Sequence, residues 1–164
     1  MNLYILSLIL QFSNLHHIDP TVVEAIIEVE SGYKVSAVGS QGEIGLMQLM
    51  PANFKHISKL KLFKPELNIS LGVLLLDRSR QECIHKKDLT WVVCYNLGSP
   101  RARKVKNPKL FPYYKKILFA MGKISSTRKN ITWNLRTQGY HFETGSIAFR
   151  ENGAWVENEK RKVA

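Results

Sequence analysis

The stretch Asp19-Pro20-Thr21-Val22-Val23-Glu24-Ala25-Ile26-Ile27-Glu28-Val29-Glu30-Ser31-Gly32 carries the marks of one complete helix. Asp19 has the side chain of an N-cap, Pro20 suits the first helical position, where a backbone N–H has no partner anyway, and Gly32 supplies a stop. Val22, Val23, Ile26 and Ile27 recur at the spacing of one apolar face. Glu30 lies three and four positions after Ile27 and Ile26, on that same face. Glu24 and Glu28 fall on a different side and are expected to meet solvent.

A carboxyl beside apolar packing at a helix C-terminus has two reasons for a raised pKa. Burial penalises the anion, and the negative end of the helix dipole repels it. Such a group can stay protonated near neutral pH and donate a proton, which is the property of a glycosidase acid. The other reading places Glu30 at a frayed helix end, turned into water. The segment alone leaves both open.

Working outward, Tyr4, Ile5, Leu8, Ile9, Phe12 and Leu15 predict a preceding helix over 4–15. Glycines from Gly39 to Gly45 predict a loop, and Met50-Pro51 opens a short helix through about Leu60. Pro65 breaks the next stretch, Asn68 caps a longer helix from Ile69 to about Ile84, and Asp88 caps another from Leu89 to Leu97, stopped by Gly98. Pro100, Pro108 and Pro112 punctuate a basic loop before a last helix, Tyr113 to Ile124. Beyond it, Tyr140, Phe142, Ile147 and Phe149 alternate with polar residues, and Asn152-Gly153 is a two-residue hairpin turn. The fold expected is mainly α: a helical domain over 1–124, then a linker and small β-hairpin appendage over 125–164 with a charged end at Glu159 to Lys162.

A chain of 164 residues, 45% hydrophobic and 23% charged, is globular in composition and excludes a disordered or fibrous class. Twenty-four Lys and Arg against thirteen Asp and Glu leave a formal charge of +11, which favours polyanions. Arg101, Arg103, Lys104, Lys106 and Lys109 cluster in the basic loop. No zinc-finger spacing, zipper heptads or RNA-binding signature accompanies them, so no specific nucleic acid is expected. Cys83 and Cys94 read as small buried hydrophobes, with nothing to suggest a metal site or a disulfide framework. The run Leu3 to Phe12 lacks a preceding positive charge and a cleavage site, and is about half the ~20 residues of a membrane span. It reads as a core helix of the mature fold, with neither a signal peptide nor a transmembrane segment in view.

The segment Gly42-Glu43-Ile44-Gly45-Leu46-Met47-Gln48-Leu49-Met50-Pro51 pairs glycines that permit tight turns with Gln48, an amide able to donate and accept. Leu46 and Met47 offer soft apolar surface for the underside of a sugar, or simply core. Cys94-Tyr95-Asn96 then closes a helix just before Gly98. The Tyr95 hydroxyl can hold a carboxyl in position and Asn96 can bind an acetamido or hydroxyl group. Each is equally readable as a cap or a core aromatic.

Taken in order, Glu30-Ser31-Gly32, Gly45-Leu46-Met47-Gln48 with Met50-Pro51, and Tyr95-Asn96 resemble the motif set of the soluble lytic transglycosylase family, relatives of goose-type lysozyme. The resemblance covers about Leu3 to Ile124. It implies a lysozyme-like helical fold that cuts peptidoglycan between N-acetylmuramic acid and N-acetylglucosamine, without metal or cofactor. Glu30 would be the single catalytic acid and base, with Ser31, Leu46, Met47, Gln48, Tyr95 and Asn96 lining the groove. A lone carboxylate suits this chemistry, because the muramic acetamido group stands in for the second carboxylate of ordinary glycosidases. The product would be a 1,6-anhydromuramic end.

Two residues depart from the family pattern. Glu43 stands where a small residue is usual and is a possible accessory carboxylate for a hydrolytic outcome, or a solvated loop acid. Cys94 replaces the usual Ala, a small-for-small change. The alternatives are a hydrolysing muramidase using the same Glu30 and a catalytically silent glycan-binding module. The expected partners are peptidoglycan strands, with anionic cell-wall polymers and a phage or secretion assembly beside them. The expected place of action is the bacterial cell wall, in the periplasm or on a virion.

Overall fold

Helix α2 (Pro20–Ser31) forms with the expected punctuation: Asp19 Oδ1 accepts from the Thr21 N–H at 2.8 Å, and Gly32 ends the helix in the left-handed region at φ 56°. The computed structural model describes residues 2–83 and 88–137 and the strand residues 140–143, 146–151 and 154–157, with side chains described over 2–83 and 89–129. Val22, Val23, Ala25, Ile26 and Ile27 are at most 1% exposed, so α2 runs through the core and not along its edge. Glu24 is therefore not the solvent-facing acid expected. It is 2% exposed, because a helix covered on nearly all sides has no wet face at that position.

The helix α1 (Leu3–Leu15) packs Ile5, Leu8 and Ile9 into the core and lies against α2 and α4 (Pro65–Glu82). Pro65 opens α4 instead of breaking the chain, since its fixed φ and missing N–H fit the first turn. Asn68, expected as the cap, lies inside that turn and is fully buried. The expected helix from Met50 to Leu60 is instead a 3-10 turn at Pro51–Asn53 followed by α3 (Lys59–Leu62).

A second 3-10 turn at Asp88–Trp91 leads into α5 (Val92–Leu97), which packs against α4 and against α6 (Ser99–Ala102). Cys83, the C-cap of α4, is disulfide-bonded to Cys94 of α5, with Cα atoms 6.7 Å apart. The expectation of two free buried thiols is thus corrected. Both cysteines are buried as read, but the packing of α5 on α4 brings them within bonding reach, which spacing along the chain does not reveal.

After a 3-10 turn at Pro108–Leu110, α7 runs from Pro112 to Thr137, past the expected end at Ile124. The apolar periodicity stops there, yet 125–137 holds no Gly or Pro to break the helix. The chain divides into two compact units, Met1–Ile124 and Ser125–Ala164. In the second, β1 (Tyr140–Glu143), β2 (Ser146–Glu151) and β3 (Ala154–Glu157) pair antiparallel in the order β1-β2-β3. The Asn152-Gly153 turn and the charged end from Glu159 to Lys162 lie outside the described residues. No described helix is long and apolar enough to cross a membrane.

Candidate active site

Glu30 projects from the C-terminal end of α2 into a cleft of about 590 Å³ whose walls include Glu43, Gln48, Tyr95 and Asn96. One wall is the loop after α2. Ile44 and Leu49 exchange backbone hydrogen bonds at 2.9 Å each, and the Gly39 N–H donates to Glu43 O at 2.8 Å. Asn68 ties this loop to the core. Its Oδ1 accepts from the Met47 N–H at 2.8 Å while Nδ2 donates to Ile44 O at 2.9 Å and Leu62 O at 2.8 Å. Gly45, at φ 78°, lies so close over the Asn68 carboxamide that a Cβ there would overlap it.

This anchoring decides what Leu46 and Met47 do. Both are fully buried, and neither contributes surface to the cleft. Met47 fills the notch left by Gly72 on α4, and its carbonyl accepts from the Tyr95 hydroxyl at 2.7 Å. Ser31 is likewise absent from the cleft lining; its hydroxyl donates to Ile27 O at 3.0 Å within α2. Gln48 does face the cleft, held at φ 48° with Nε2 donating to Gly45 O at 2.9 Å. Of the residues predicted for the groove, the structure thus gathers Glu30, Glu43, Gln48, Tyr95 and Asn96 in the lining, with Leu46 and Met47 buried behind it and Ser31 outside it.

The hydroxyl that reaches Glu30 is Tyr113, which donates to Glu30 Oε1 at 2.8 Å, and not Tyr95. Tyr113 lies outside the motifs that mark the other site residues. The available signal was a tyrosine at the start of the apolar stripe Tyr113, Ile117, Ala120, where a buried phenol requires a partner. Burial raises the Glu30 pKa above the ordinary carboxylate range, and the nearby negative charge of Glu43 adds to the rise; the Tyr113 hydrogen bond and the Lys116 charge oppose it. Tyr95 and Tyr113 titrate well above the usual phenol range, chiefly through burial and then through the charge of Glu30. Both therefore serve as donors.

Glu43 is folded over its own loop, where Oε2 accepts from the Gln41 N–H at 3.0 Å. Its carboxylate and the Gln48 carboxamide oxygen converge on the space beside Gly39, where a Cβ would displace the ends of both side chains. The resulting site is one partly buried, protonatable carboxyl with a phenol donor, between carboxamides that can hold sugar substituents. Among the described residues, no cluster of His, Cys, Asp and Glu could hold a metal ion.

A helical core with a partly buried carboxyl at its cleft is the arrangement of a lysozyme-like fold. The X-ray structure of an inactive mutant of lytic transglycosylase Slt from Pseudomonas aeruginosa shares it, with a TM-score of 0.62 and 20% identity over 76% of this chain and 24% of that one. The family described as Transglycosylase SLT domain matches residues 7–117, and the chain belongs to that family. Among curated relatives, the Transglycosylase of Enterobacteria phage PRD1 is 30% identical over 98 residues, 59% of this chain and 36% of that protein. The endo-type membrane-bound lytic murein transglycosylase A of Klebsiella pneumoniae is 36% identical over 72 residues, 36% of this chain and 34% of that protein. The chain thus spans about a third of the length of these relatives.

Proposed function

We propose that this protein is a peptidoglycan lytic transglycosylase in which Glu30 is the catalytic acid and base. Protonated Glu30 gives its proton to the oxygen leaving N-acetylmuramic acid as the glycosidic bond breaks, and the muramic acetamido group stabilises the anomeric carbon. The Glu30 carboxylate then takes the proton of the C6 hydroxyl as that oxygen bonds to the anomeric carbon. Glu30 regains its proton and the product is a 1,6-anhydromuramic end. The observation that carries the reading is the environment of Glu30: buried enough to hold a proton and bonded by Tyr113 so that it can release one. Gln48, Tyr95 and Asn96 line the cleft and orient the sugars. Leu46 and Met47 support the wall from behind.

A hydrolytic reading on the same substrate rests on one observation, that Glu43 faces the cleft and its charge acts on Glu30. There Glu43 would activate a water and the product would carry a reducing end. Mass spectrometry of muropeptides released from sacculi separates the two: anhydro ends support transglycosylation, reducing ends support hydrolysis, and no release with binding intact supports a silent glycan-binding module.

The protein acts, in this reading, at the bacterial cell wall, on the periplasmic side. The likeness to the PRD1 transglycosylase supports a phage particle as its setting over a secretion apparatus. The exposed Arg101, Arg103, Lys104 and Lys106 would draw it to anionic wall polymers. Residues 125–164 would form an appendage to the catalytic domain over 1–124, a reading supported by the strand pairing in that unit.

A further inference from the structure

The wall of the cleft that carries Tyr95 and Asn96 is α5, a helix of six residues. So short a helix has no stability of its own and takes its place from what holds it. Two ties fasten this wall to the end of α4: the Cys83–Cys94 disulfide and, just beyond α5, the Ser99 hydroxyl donating to Glu82 Oε2. Cys94 immediately precedes Tyr95 and itself lines the cleft. Tyr95 passes the position on, since its hydroxyl grips Met47 O in the opposite wall, which Asn68 fixes from behind.

We propose that the Cys83–Cys94 bridge is a positioning element of the site, so that closing it sets the Tyr95–Asn96 wall for glycan binding and opening it loosens that wall. The inference rests on the glycan-cleaving reading above for its substrate. Closing the bridge takes two electrons and two protons from the two thiols and delivers them to a disulfide oxidant. Opening it is the reverse exchange, in which a dithiol reductant becomes the disulfide and Cys83 and Cys94 become thiols. Disulfides persist in oxidising compartments, so a protein at work on the cell wall would keep its bridge closed, while the same chain in a reducing cytoplasm would hold a slack wall.

The test compares the full chain oxidised, reduced with dithiothreitol, and as the Cys83→Ser variant, at a temperature where circular dichroism gives all three the same helix content. Glycan-strand affinity is measured in the Glu30→Gln background, and KM and kcat in the chain that retains Glu30. The expected result is a rise of about tenfold in both Kd and KM on reduction, a kcat within about twofold, and recovery on reoxidation. Cys83→Ser should match the reduced protein and ignore the reductant. If the melting temperature falls on reduction while Kd and KM stay put, the bridge is only a structural staple and the proposal is overturned. Redox-sensitive binding without cleavage by the oxidised chain would instead count against the enzymatic reading and leave the positioning role standing.

Discussion

The Tyr113 hydroxyl donates to Glu30 Oε1 at 2.8 Å, across 83 residues of sequence, and places the first turn of α7 against the last turn of α2. A phenol aimed at a carboxyl favours its ionised form, so Tyr113 works against the burial that disfavours ionisation of Glu30. Removing the donor in Tyr113→Phe should raise the Glu30 pKa further. The high-pH limb of kcat/KM, where Glu30 loses its proton, should move to higher pH. The rate at the optimum should fall by about tenfold or more, because the second half of the reaction needs the carboxylate. A limb that stays in place would separate Tyr113 from the titration of Glu30.

Glu43 acts on the same group with the opposite sign. Its negative charge disfavours ionisation of Glu30, so Glu43→Gln should lower the Glu30 pKa and shift the high-pH limb to lower pH. Product analysis of this variant reports on its chemistry as well. Under transglycosylation the anhydro ends persist in the variant; reducing ends released by the wild type and lost in Glu43→Gln would show that Glu43 activates water.

A raised folded-state pKa means that ionising Glu30 destabilises the fold. The favourable contribution is full below the unfolded carboxylate pKa and is lost as pH rises through the folded value. Glu30→Gln should therefore raise the melting temperature at neutral pH, with a gain of roughly 0.5 to 2 kcal/mol on the scale of relieving a functional-site cost. That gain should shrink as the pH falls through the raised folded-state value and be gone below the ordinary carboxylate range. Melts across pH check it, and a constant gain at every pH would mean that Glu30 carries no such shift.

Asn68 holds the other wall. Asn68→Ala takes the side-chain partner from the buried Met47 N–H and Leu62 carbonyl, while the Ile44 carbonyl keeps its bond from the Leu49 N–H. The expected loss is about 3 kcal/mol, from unsatisfied buried groups at ~1 to 3 kcal/mol each with partial relaxation. Denaturant unfolding measures it directly. A loss under about 0.5 kcal/mol, the scale of a surface change, would mean that the loop is held by its own backbone bonds.

The legible parts of this protein are those whose causes are local. Asp19, Pro20 and Gly32 punctuate α2 by backbone chemistry confined to neighbouring residues, and the Ile26, Ile27, Glu30 face is a matter of helical spacing. Glu43, Gln48, Tyr95 and Asn96 could be named because they sit in compact motifs, and they do converge on one cleft. What escaped depends on packing between distant elements. Glu24 is buried because α2 is enclosed, Cys83 meets Cys94 because α5 folds back on α4, and Tyr113 reaches Glu30 from the far end of the domain. Asn68 looked like a cap because Asn favours caps, yet its carboxamide is spent on a loop more than twenty residues earlier, at Ile44 and Met47.

Glu30 carries the proposed chemistry. The most direct measurement is the rate at which muropeptides leave purified sacculi under the wild type and under Glu30→Gln, with binding to the sacculi recorded alongside. The account predicts that the variant binds as the wild type does and releases product at least about a hundredfold more slowly, the low end of what a general acid contributes. Release at the wild-type rate by a folded Glu30→Gln protein would contradict it.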